Sequence, residues 1–451
     1  MTMTELEVYT CKFGGSSLAD GERVAKVAEI IKRDPRRRYI VVSAPGKAGP
    51  EGQKVTDLLY AAHENKRLGL EFRSAYDLAE RPLQYIAQDL DHKQGASGKL
   101  IVAFDKILLE QEKIVHETDV SRDFVASRGE YLMARLLALY LDWPFVDSGN
   151  IVRFTSQGRF DPDLTNRLVA EELTKYPRAV IPGFYGSVPE GDIKTFSRGG
   201  SDLTGAIVAR AAKALVYENW TDVDGLMSAD PRLVPSAKPV REVTYRELRE
   251  LSYMGAKVFH EEAVAPAVRD EIRIHIRNTF EPDAPGTVIM HEAHRGHHPV
   301  VVGIAGRKGF SSLQVRKLGM NEERGFLRKL FTVLEDEELD VEHVPGGIDS
   351  VSVIVPTEEV RAKEAQIREE IARYCHTDDI FISDGLALIA TVGQGMWKTV
   401  GVAARLTNAL AKASVNINMI NQGSSELNII VGVAEGDYEN AIRAIHAEFF
   451  P

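Results

Sequence analysis

The sequence predicts an α/β domain built on a mainly parallel sheet sandwiched by helices, followed by two ferredoxin-like βαββαβ units. Three observations carry this. Strand and helix patterns alternate, with Gly-rich turns between them, to about residue 285. A polar stretch at 291–299 then interrupts the pattern. Beyond it the sequence repeats itself at an offset of 76 residues. The length of 451 residues fits, since ~150 residues per domain gives about three domains.

In chain order, Leu6 to Phe13 reads as a strand that stops at Gly14-Gly15. Ser16 and Ser17 are placed to cap a helix whose Val24, Val27, Ala28 and Ile31 recur at i, i+3, i+4 and i+7. That helix should end at Asp34-Pro35, and the basic run Arg36-Arg37-Arg38 reads as a solvated turn. Tyr39-Ile40-Val41-Val42 has the β-branched character of a buried parallel strand. A helix from about Ser127 to Leu141 carries Leu132, Leu136, Leu137 and Tyr140 on one face. Strand Ala179-Val180-Ile181, helix Ser201 to Ala214 and strand Leu215 to Thr221 continue the β-α-β pattern.

The repeat pairs Gly319 with Gly395, Met320 with Met396, Gly325 with Gly401, Leu334 with Leu410, and Val353-Ile354-Val355 with Ile429-Ile430-Val431. Each copy reads strand, Gly-Met loop, helix, strand, turn, strand and a second helix. The first helix offers Leu327, Leu330, Phe331 and Leu334 to a core, and its counterpart offers Val402, Leu406, Ala409 and Leu410. The predicted boundaries are 1–290 for the first domain, 299–385 for the first unit and 386–451 for the second, which strand 299–306 is free to complete. Four histidines between 291 and 299 invite a metal site. They lie between elements with no cysteine nearby, so a solvated linker is the better reading and no metal ligand is assigned.

Composition narrows the function classes. Apolar residues make up 44% and charged residues 27%, as in ordinary globular chains. No apolar run reaches the ~18 residues of a membrane span, and no signal peptide is visible at the N-terminus. Two cysteines, Cys11 and Cys375, suit a reducing compartment, so the expectation is a cytoplasmic protein with no membrane partner. A formal charge of −11 makes nucleic acid a poor partner.

Three segments carry chemistry. Lys12-Phe13-Gly14-Gly15-Ser16-Ser17 ends a strand and opens a helix, so backbone N–H groups and a lysine can meet a phosphate. It is not a Walker motif, and Gly95 to Lys99 has the wrong spacing for one. Ser197-Arg198-Gly199-Gly200-Ser201-Asp202 is a second such turn, with Arg198 suited to a carboxylate and Asp202 suited to orient a lysine or to cap its helix. Thr221-Asp222-Val223-Asp224-Gly225, with Asp230-Pro231-Arg232 after it, offers hydrogen-bonding groups at the sheet edge. Each alone is also an ordinary turn.

Together with Gly255-Ala256-Lys257-Val258-Phe259-His260, and in this order, these segments resemble the aspartate kinases of the amino-acid kinase superfamily, which carry two C-terminal ACT regulatory domains. The resemblance covers essentially the whole chain and implies an amino-acid kinase fold followed by tandem ACT domains. With nothing after the repeat for a homoserine dehydrogenase domain, a monofunctional enzyme is expected. By resemblance, Lys12, Gly14, Gly15 and Ser16 lie along the phosphates of ATP, and Thr221, Asp222, Arg232 and Lys257 surround the nucleotide. Thr56, Glu130, Arg198 and Ser201 bind aspartate, with Glu130 on the α-amino group and Arg198 on the α-carboxylate. Lys12, Asp202 and Lys257 are the expected catalytic residues, Asp202 organising the lysines. Met227 stands where many relatives place a tyrosine, Asp57 where asparagine is common, and Glu261 where proline is common.

The implied reaction makes 4-phospho-L-aspartate, the first step towards lysine, threonine and methionine, with ATP and Mg²⁺. The nucleophile, a β-carboxylate of pKa ~3.9, is already ionised at neutral pH, so no general base is needed. The barrier is repulsion between anions, which cations and positioning relieve. The ACT pair implies feedback by lysine, threonine or both, and a homodimer or larger homo-oligomer. The effector is expected at Met320, Asn321, Gly325, Phe326 and Leu327, with core filling as the competing reading for Met320 and Leu327. Two alternatives remain. Another amino-acid kinase should lack the second and third segments and usually the repeat, and a catalytically silent amino-acid sensor should have lost Lys12, Arg198 or Asp202.

Overall fold

The computed structural model describes residues 7–47, 52–197, 199–256, 265–292, 299–423 and 425–451. In chain order the elements are β1 (Tyr9–Phe13), α1 (Gly21–Arg33), β2 (Arg37–Val42), α2 (Val55–Arg67), α3 (Arg73–Lys93), α4 (Lys99–Glu117), α5 (Arg122–Leu141), α6 (Ser148–Ile151) and α7 (Pro162–Leu173). β3 (Ala179–Pro182), β4 (Tyr185–Ser187), β5 (Ile193–Thr195), α8 (Gly200–Ala211), β6 (Val216–Thr221), β7 (Glu242–Thr244), α9 (Tyr245–Tyr253), α10 (Ala265–Arg269), β8 (Arg273–Asn278) and β9 (Thr287–Met290) follow. The remainder is β10 (Gly303–Arg316), α11 (Phe326–Asp336), β11 (Ser350–Pro356), α12 (Thr357–Ala362), α13 (Glu364–Cys375), β12 (Asp379–Val392), α14 (Val402–Lys412), β13 (Met419–Asn421), β14 (Asn428–Ala434) and α15 (Tyr438–Phe449). The chain divides into one unit of Met1–Leu226, Arg241–Tyr245 and Val258–Glu292, and a second of Met227–Val240, Arg246–Lys257 and Ala293–Pro451.

The first unit is built on a sheet of order β3-β2-β1-β6-β8-β9-β7, parallel from β3 through β8. Alternation along the strands gives it two cores. Cys11, Phe13, Ile40 and Val42 face α1, α3, α4 and α5, while Tyr39, Val41 and Ile181 face α7 and α8. Apart from Thr56 and Asp57 at the start of α2, the helices across 55–117 carry no site residue, yet Leu83, Ile86, Leu90, Phe104 and Ile107 fill the first of these cores.

Two local expectations need correction. Asp20, not Ser16 or Ser17, caps α1, its carboxylate accepting the Arg23 N–H at 2.9 Å. Ser17 is instead buried in a 3-10 turn and hydrogen-bonds Thr279 at 2.8 Å. The run Arg36-Arg37-Arg38 is not a solvated turn either, because Arg37 starts β2 and is withdrawn from solvent by a carboxylate, Glu218, on the neighbouring side of β1.

The second unit holds a five-stranded antiparallel sheet of order β11-β10-β12-β14-β13. β10 and β12 are long strands used twice. Their Phe310–Arg316 and Asp379–Leu386 parts pair within the first βαββαβ module. Gly303–Arg307 pairs with Leu388–Val392, beside β14, and thus supplies the last strand of the second module from ahead of the first. Leu330 and Leu334 of α11 are buried as the periodicity predicts, as are Val402, Leu406, Ala409 and Leu410 of α14. Leu327 and Phe331 are exposed, because Phe326 and Val333 take the core-facing positions. Among the described residues, no helix is long and apolar enough to cross a membrane. Both cysteines are buried, free thiols.

Candidate active site

In the first unit the site residues collect at the carboxyl ends of parallel strands. β1 and β6 run in register, Lys12 opposite Asn219 and Phe13 opposite Trp220, so the Gly14-Gly15 turn and Thr221 leave the sheet side by side. The Trp220 carbonyl accepts the Gly14 N–H at 3.1 Å, and the Phe13 carbonyl accepts the Ser43 N–H at 3.1 Å. Gly15 packs on the loop after β2: a Cβ there would meet the Ala44 carbonyl oxygen at 2.8 Å, and the Gly46 N–H donates to the Gly15 carbonyl at 2.8 Å. The turn therefore has no room for a side chain on that side. Ser16 follows it, partly buried, and its carbonyl accepts from Arg23 at 2.8 Å.

The second Gly-Gly turn opens α8. Gly199, the residue before it, has φ +56°, a left-handed conformation that glycine adopts at little cost. Ser201 and Asp202 lie in the first turn of α8, partly buried, and Gly183 lets Ser201 approach, since a Cβ on Gly183 would come within 2.7 Å of its side chain. Asp202 reaches across to β1, where its Oδ1 lies 2.7 Å from Lys12 Nζ. Asn219 Nδ2 donates to the same oxygen at 2.7 Å, and the buried Tyr217 hydroxyl donates to the Asp202 carbonyl at 3.0 Å. Neither Asn219 nor Tyr217 stood out in the sequence, although a polar pair, Glu218-Asn219, inside a buried strand was the signal.

Glu130 sits in the middle of α5 and is 5% exposed. Gly129 lets α5 close on the β2 loop, as a Cβ there would fall 2.8 Å from that of Ala44. Burial pushes the Glu130 carboxyl up to about 8, against the opposing pull of a hydrogen bond from the Ala44 backbone N–H. Its Oε2 is buried with no hydrogen-bond partner among the described residues. Such an oxygen is costly to leave bare and is suited to a cationic group.

The other expected residues are placed as follows. Thr56 is partly buried in the first turn of α2, with Asp57 exposed beside it. Thr221 ends β6 and donates to the Asp222 carboxylate at 3.1 Å, while Asp222 is exposed. Asp224 accepts from Asn278 at 2.7 Å, which ties that turn to the end of β8. Arg232 belongs to the second unit, is exposed, and pairs with Asp230 at 2.6 Å. Met227 is also in that unit, bridging Pro239. Arg198, Lys257, His260 and Glu261, together with 293–298 of the histidine stretch, lie outside the described residues. The structure thus brings Lys12, Gly14, Gly15, Asp202 and Thr221 to one sheet edge, with Glu130 beside the neighbouring loop.

The Gly-Met loop of the first module is a 3-10 turn, Met320–Glu322, set between Gly319 and Gly325, both with positive φ. Met320 and Phe326 fill the module core, so for Met320 the packing reading describes its position. Asn321, Gly325 and Leu327 are exposed above it. Glu323 is paired with Lys317 and Lys329, and their hydrogen bonds hold its carboxyl down to about 2.

Residues 9–278 match the amino acid kinase family and residues 389–449 the ACT domain. Aspartokinase 3 of Bacillus subtilis is 40% identical over 97% of this chain and 98% of its own. The crystal structure of Clostridium acetobutylicum aspartate kinase superposes with a TM-score of 0.91 at 42% identity, covering 98% of this chain and 100% of that one. Escherichia coli aspartokinase III in complex with aspartate and ADP, in the R-state, superposes with a TM-score of 0.73 at 28% identity, covering 99% and 100%. The same enzyme in complex with lysine and aspartate, in the T-state, gives a TM-score of 0.73 over 98% and 100%.

Proposed function

Because the chain belongs to the aspartokinases of the amino acid kinase family, we propose that it transfers the γ-phosphoryl group of ATP to the β-carboxylate of L-aspartate, yielding 4-phospho-L-aspartate and ADP. The observation that carries this reading is the 2.7 Å pair of Lys12 and Asp202 beside the Gly14-Gly15 turn, at the strand ends where open sheets bind ligands. Aspartate and ADP bound to the E. coli relative support the same amino-acid substrate and the same kind of nucleotide here.

In this reading the chain supplies position and positive charge. Aspartate's β-carboxylate is already ionised, so Asp202 acts by holding Lys12 rather than by removing a proton. Lys12 Nζ meets the transferring phosphate, and the tight Gly14-Gly15 turn lets backbone N–H groups approach the phosphate chain. Glu130 receives the α-ammonium, which would satisfy its bare Oε2. Arg198 takes the α-carboxylate, and Thr56 and Ser201 complete the aspartate pocket. Thr221, Asp222, Arg232 and Lys257 serve the nucleotide. Mg²⁺, carried on the ATP phosphates, would neutralise their charge. One or two carboxylates suffice beside phosphate oxygens, and the exposed Asp222 at the end of β6 fits that donor set.

The ACT modules would bind an end-product amino acid and lower activity, with the exposed Asn321, Gly325 and Leu327 above the buried Met320 and Phe326 as its contact surface. The lysine complex of the E. coli relative favours lysine, with threonine as the second arm of the test. The enzyme would work as a homodimer or larger homo-oligomer in the cytoplasm, a reducing setting that suits its two free thiols, and would serve lysine, threonine and methionine synthesis.

The test is an ATP–Mg²⁺ assay that traps acyl phosphate with hydroxylamine, with and without lysine or threonine. Hydroxamate that forms with aspartate and falls with effector is the expected result. Folded protein that binds lysine or threonine but makes no hydroxamate from aspartate would overturn the catalytic reading in favour of a silent sensor.

A further inference from the structure

We infer that Asn219 is a positioning residue for the phosphoryl transfer, holding Asp202 in place while Lys12 shares its N–H donors between Asp202 and the phosphate. The inference rests on the kinase reading above. It comes from one arrangement in the first unit: Lys12 Nζ and Asn219 Nδ2 both bind Asp202 Oδ1, each at 2.7 Å.

The strand register builds this. Lys12 and Asn219 are neighbours across β1 and β6, so their side chains rise from the same face of the sheet. Tyr217, two residues earlier on β6, rises on that face too. α8 lies close above because Gly205 has no side chain: a Cβ there would come within 2.5 Å of the Tyr217 hydroxyl. The first turn of α8 is therefore held at two points, its Asp202 carbonyl by Tyr217 at 3.0 Å and its Asp202 carboxylate by Asn219. Asn219 is 3% exposed and Tyr217 fully buried. Burial pushes the Tyr217 hydroxyl well above its usual range, so it stays a donor throughout the working pH. Among the described residues, Asp202 from α8 and Tyr217 from β6 hydrogen-bond Asn219, and its register partners are Lys12 on β1 and the apolar Ile276 on β8.

The amide does something no charged or apolar residue at this position would do. An ammonium has three N–H donors, so Lys12 can turn some of them to a phosphate while Asp202 still holds it. A partly buried carboxylate that loses donors in this way pulls its lysine back. Asn219 gives Asp202 a neutral donor that stays when Lys12 turns towards the phosphate, so the sharing costs less. An apolar side chain would leave Lys12 as the only side-chain donor described on that oxygen, and a second carboxylate would repel Asp202.

The experiment compares the full-length wild type with Asn219→Leu, Asn219→Asp and Tyr217→Phe. For each, kcat and both KM values are measured across about pH 6 to 9, alongside titration with a non-hydrolysable ATP analogue and thermal unfolding. Loss of one hydrogen bond to a charged group corresponds to about 10- to 100-fold. Asn219→Leu should therefore lower kcat/KM for ATP by about that factor at every pH, with KM for aspartate within about twofold. Asn219→Asp should fall as far at high pH and recover as pH drops, because one shared proton turns the carboxyl pair back into donor and acceptor. Wild-type rates in Asn219→Leu, or equal and pH-independent losses in both Asn219 variants, would overturn the inference. If the Asn219 variants do not fold, Tyr217→Phe decides: unchanged kcat/KM for ATP overturns it, and a loss of about threefold or more with aspartate KM unmoved supports it. A wild type that binds the ATP analogue but never phosphorylates aspartate overturns the kinase reading alone. The analogue affinities of the variants then test the positioning role, equal affinities overturning it.

Discussion

Arg37 of β2 and Glu218 of β6 form a two-pronged ion pair beneath β1, with Nε to Oε2 at 2.7 Å and Nη2 to Oε1 at 3.1 Å. Arg277 adds a contact at 3.3 Å, the Trp220 indole donates to Oε2 at 3.0 Å, and both guanidinium groups lie over the Trp220 ring. Burial by itself would push the Glu218 carboxyl up, but Arg37 and Arg277 overturn that and leave it below its usual range. Because the Trp220 carbonyl also accepts the Gly14 N–H, this network is joined through Trp220 to the Gly14-Gly15 turn.

Removing one partner of a buried pair strands the other charge. Glu218→Gln should destabilise the first unit by about 3–5 kcal/mol, while an apolar replacement of all three charged residues should recover much of that loss. Urea unfolding of the variants checks both. Since the folded carboxyl lies below its unfolded value of 4.5, the stability it contributes is present above that pH and is lost as pH falls through the folded value.

Lys12→Ala should leave the fold intact, because Asp202 keeps Asn219 and α8 keeps its contact with Tyr217. Turnover should fall about 10²- to 10³-fold, the scale of losing one preorganised charge-stabilising group. Steady-state kinetics with circular dichroism reads both, and near-normal turnover would remove Lys12 from the chemistry.

Burial raises the Glu130 carboxyl to about 8, so at neutral pH it is mostly uncharged. An ammonium placed on it favours the carboxylate, so aspartate binding near pH 7 should release up to about one proton, and KM for aspartate should fall from about pH 6 to about pH 8. Calorimetric titration in two buffers of different ionisation enthalpy counts the proton. Glu130→Gln should abolish that release and raise KM for aspartate far more than KM for ATP.

Glu80 on α3 is buried beside Tyr76, and burial, with the charges of Glu112 and Asp77, raises its carboxyl to about 8. Between its unfolded value of 4.5 and about 8 the folded chain binds a proton that the unfolded chain does not, so stability falls as pH rises through that window. Glu80→Gln should therefore stabilise the first unit by a few kcal/mol near pH 8, and much less near pH 5. Melting temperatures at the two pH values check it, and an equal shift at both would contradict the buried-carboxyl account.

Much of the architecture was legible because it is written locally. Gly-Gly turns after β-branched strands, the i, i+3, i+4 spacing of α1 and the 76-residue repeat all appear within short windows, and the structure places Lys12 and Asp202 together as the two turns suggested. What was missed depends on partners far away in sequence. Arg37 reads as one of three surface arginines until Glu218, 181 residues later, is beside it. Asp20 displaced Ser16 and Ser17 as the cap because the Gly15 turn packs against Gly46 and delays the helix. Leu327 and Phe331 fit a helical stripe, but the sheet below selected Phe326 and Val333.

By itself the sequence determined the α/β class, the duplicated module, the acidic character and the two Gly-Gly turns with their lysine and aspartate, since each depends on residue type and spacing over a few turns of chain. The sequence left strand 299–306 free to complete the last module, and the tertiary structure settled that Gly303–Arg307 does so. Only the tertiary structure decided that Glu130 is sealed from solvent and that Asn219 shares Asp202 with Lys12. The physical reason is register and burial. Strand pairing fixes which side chains share a face, helix packing fixes which of them lose water, and both are settled between segments that the sequence keeps apart.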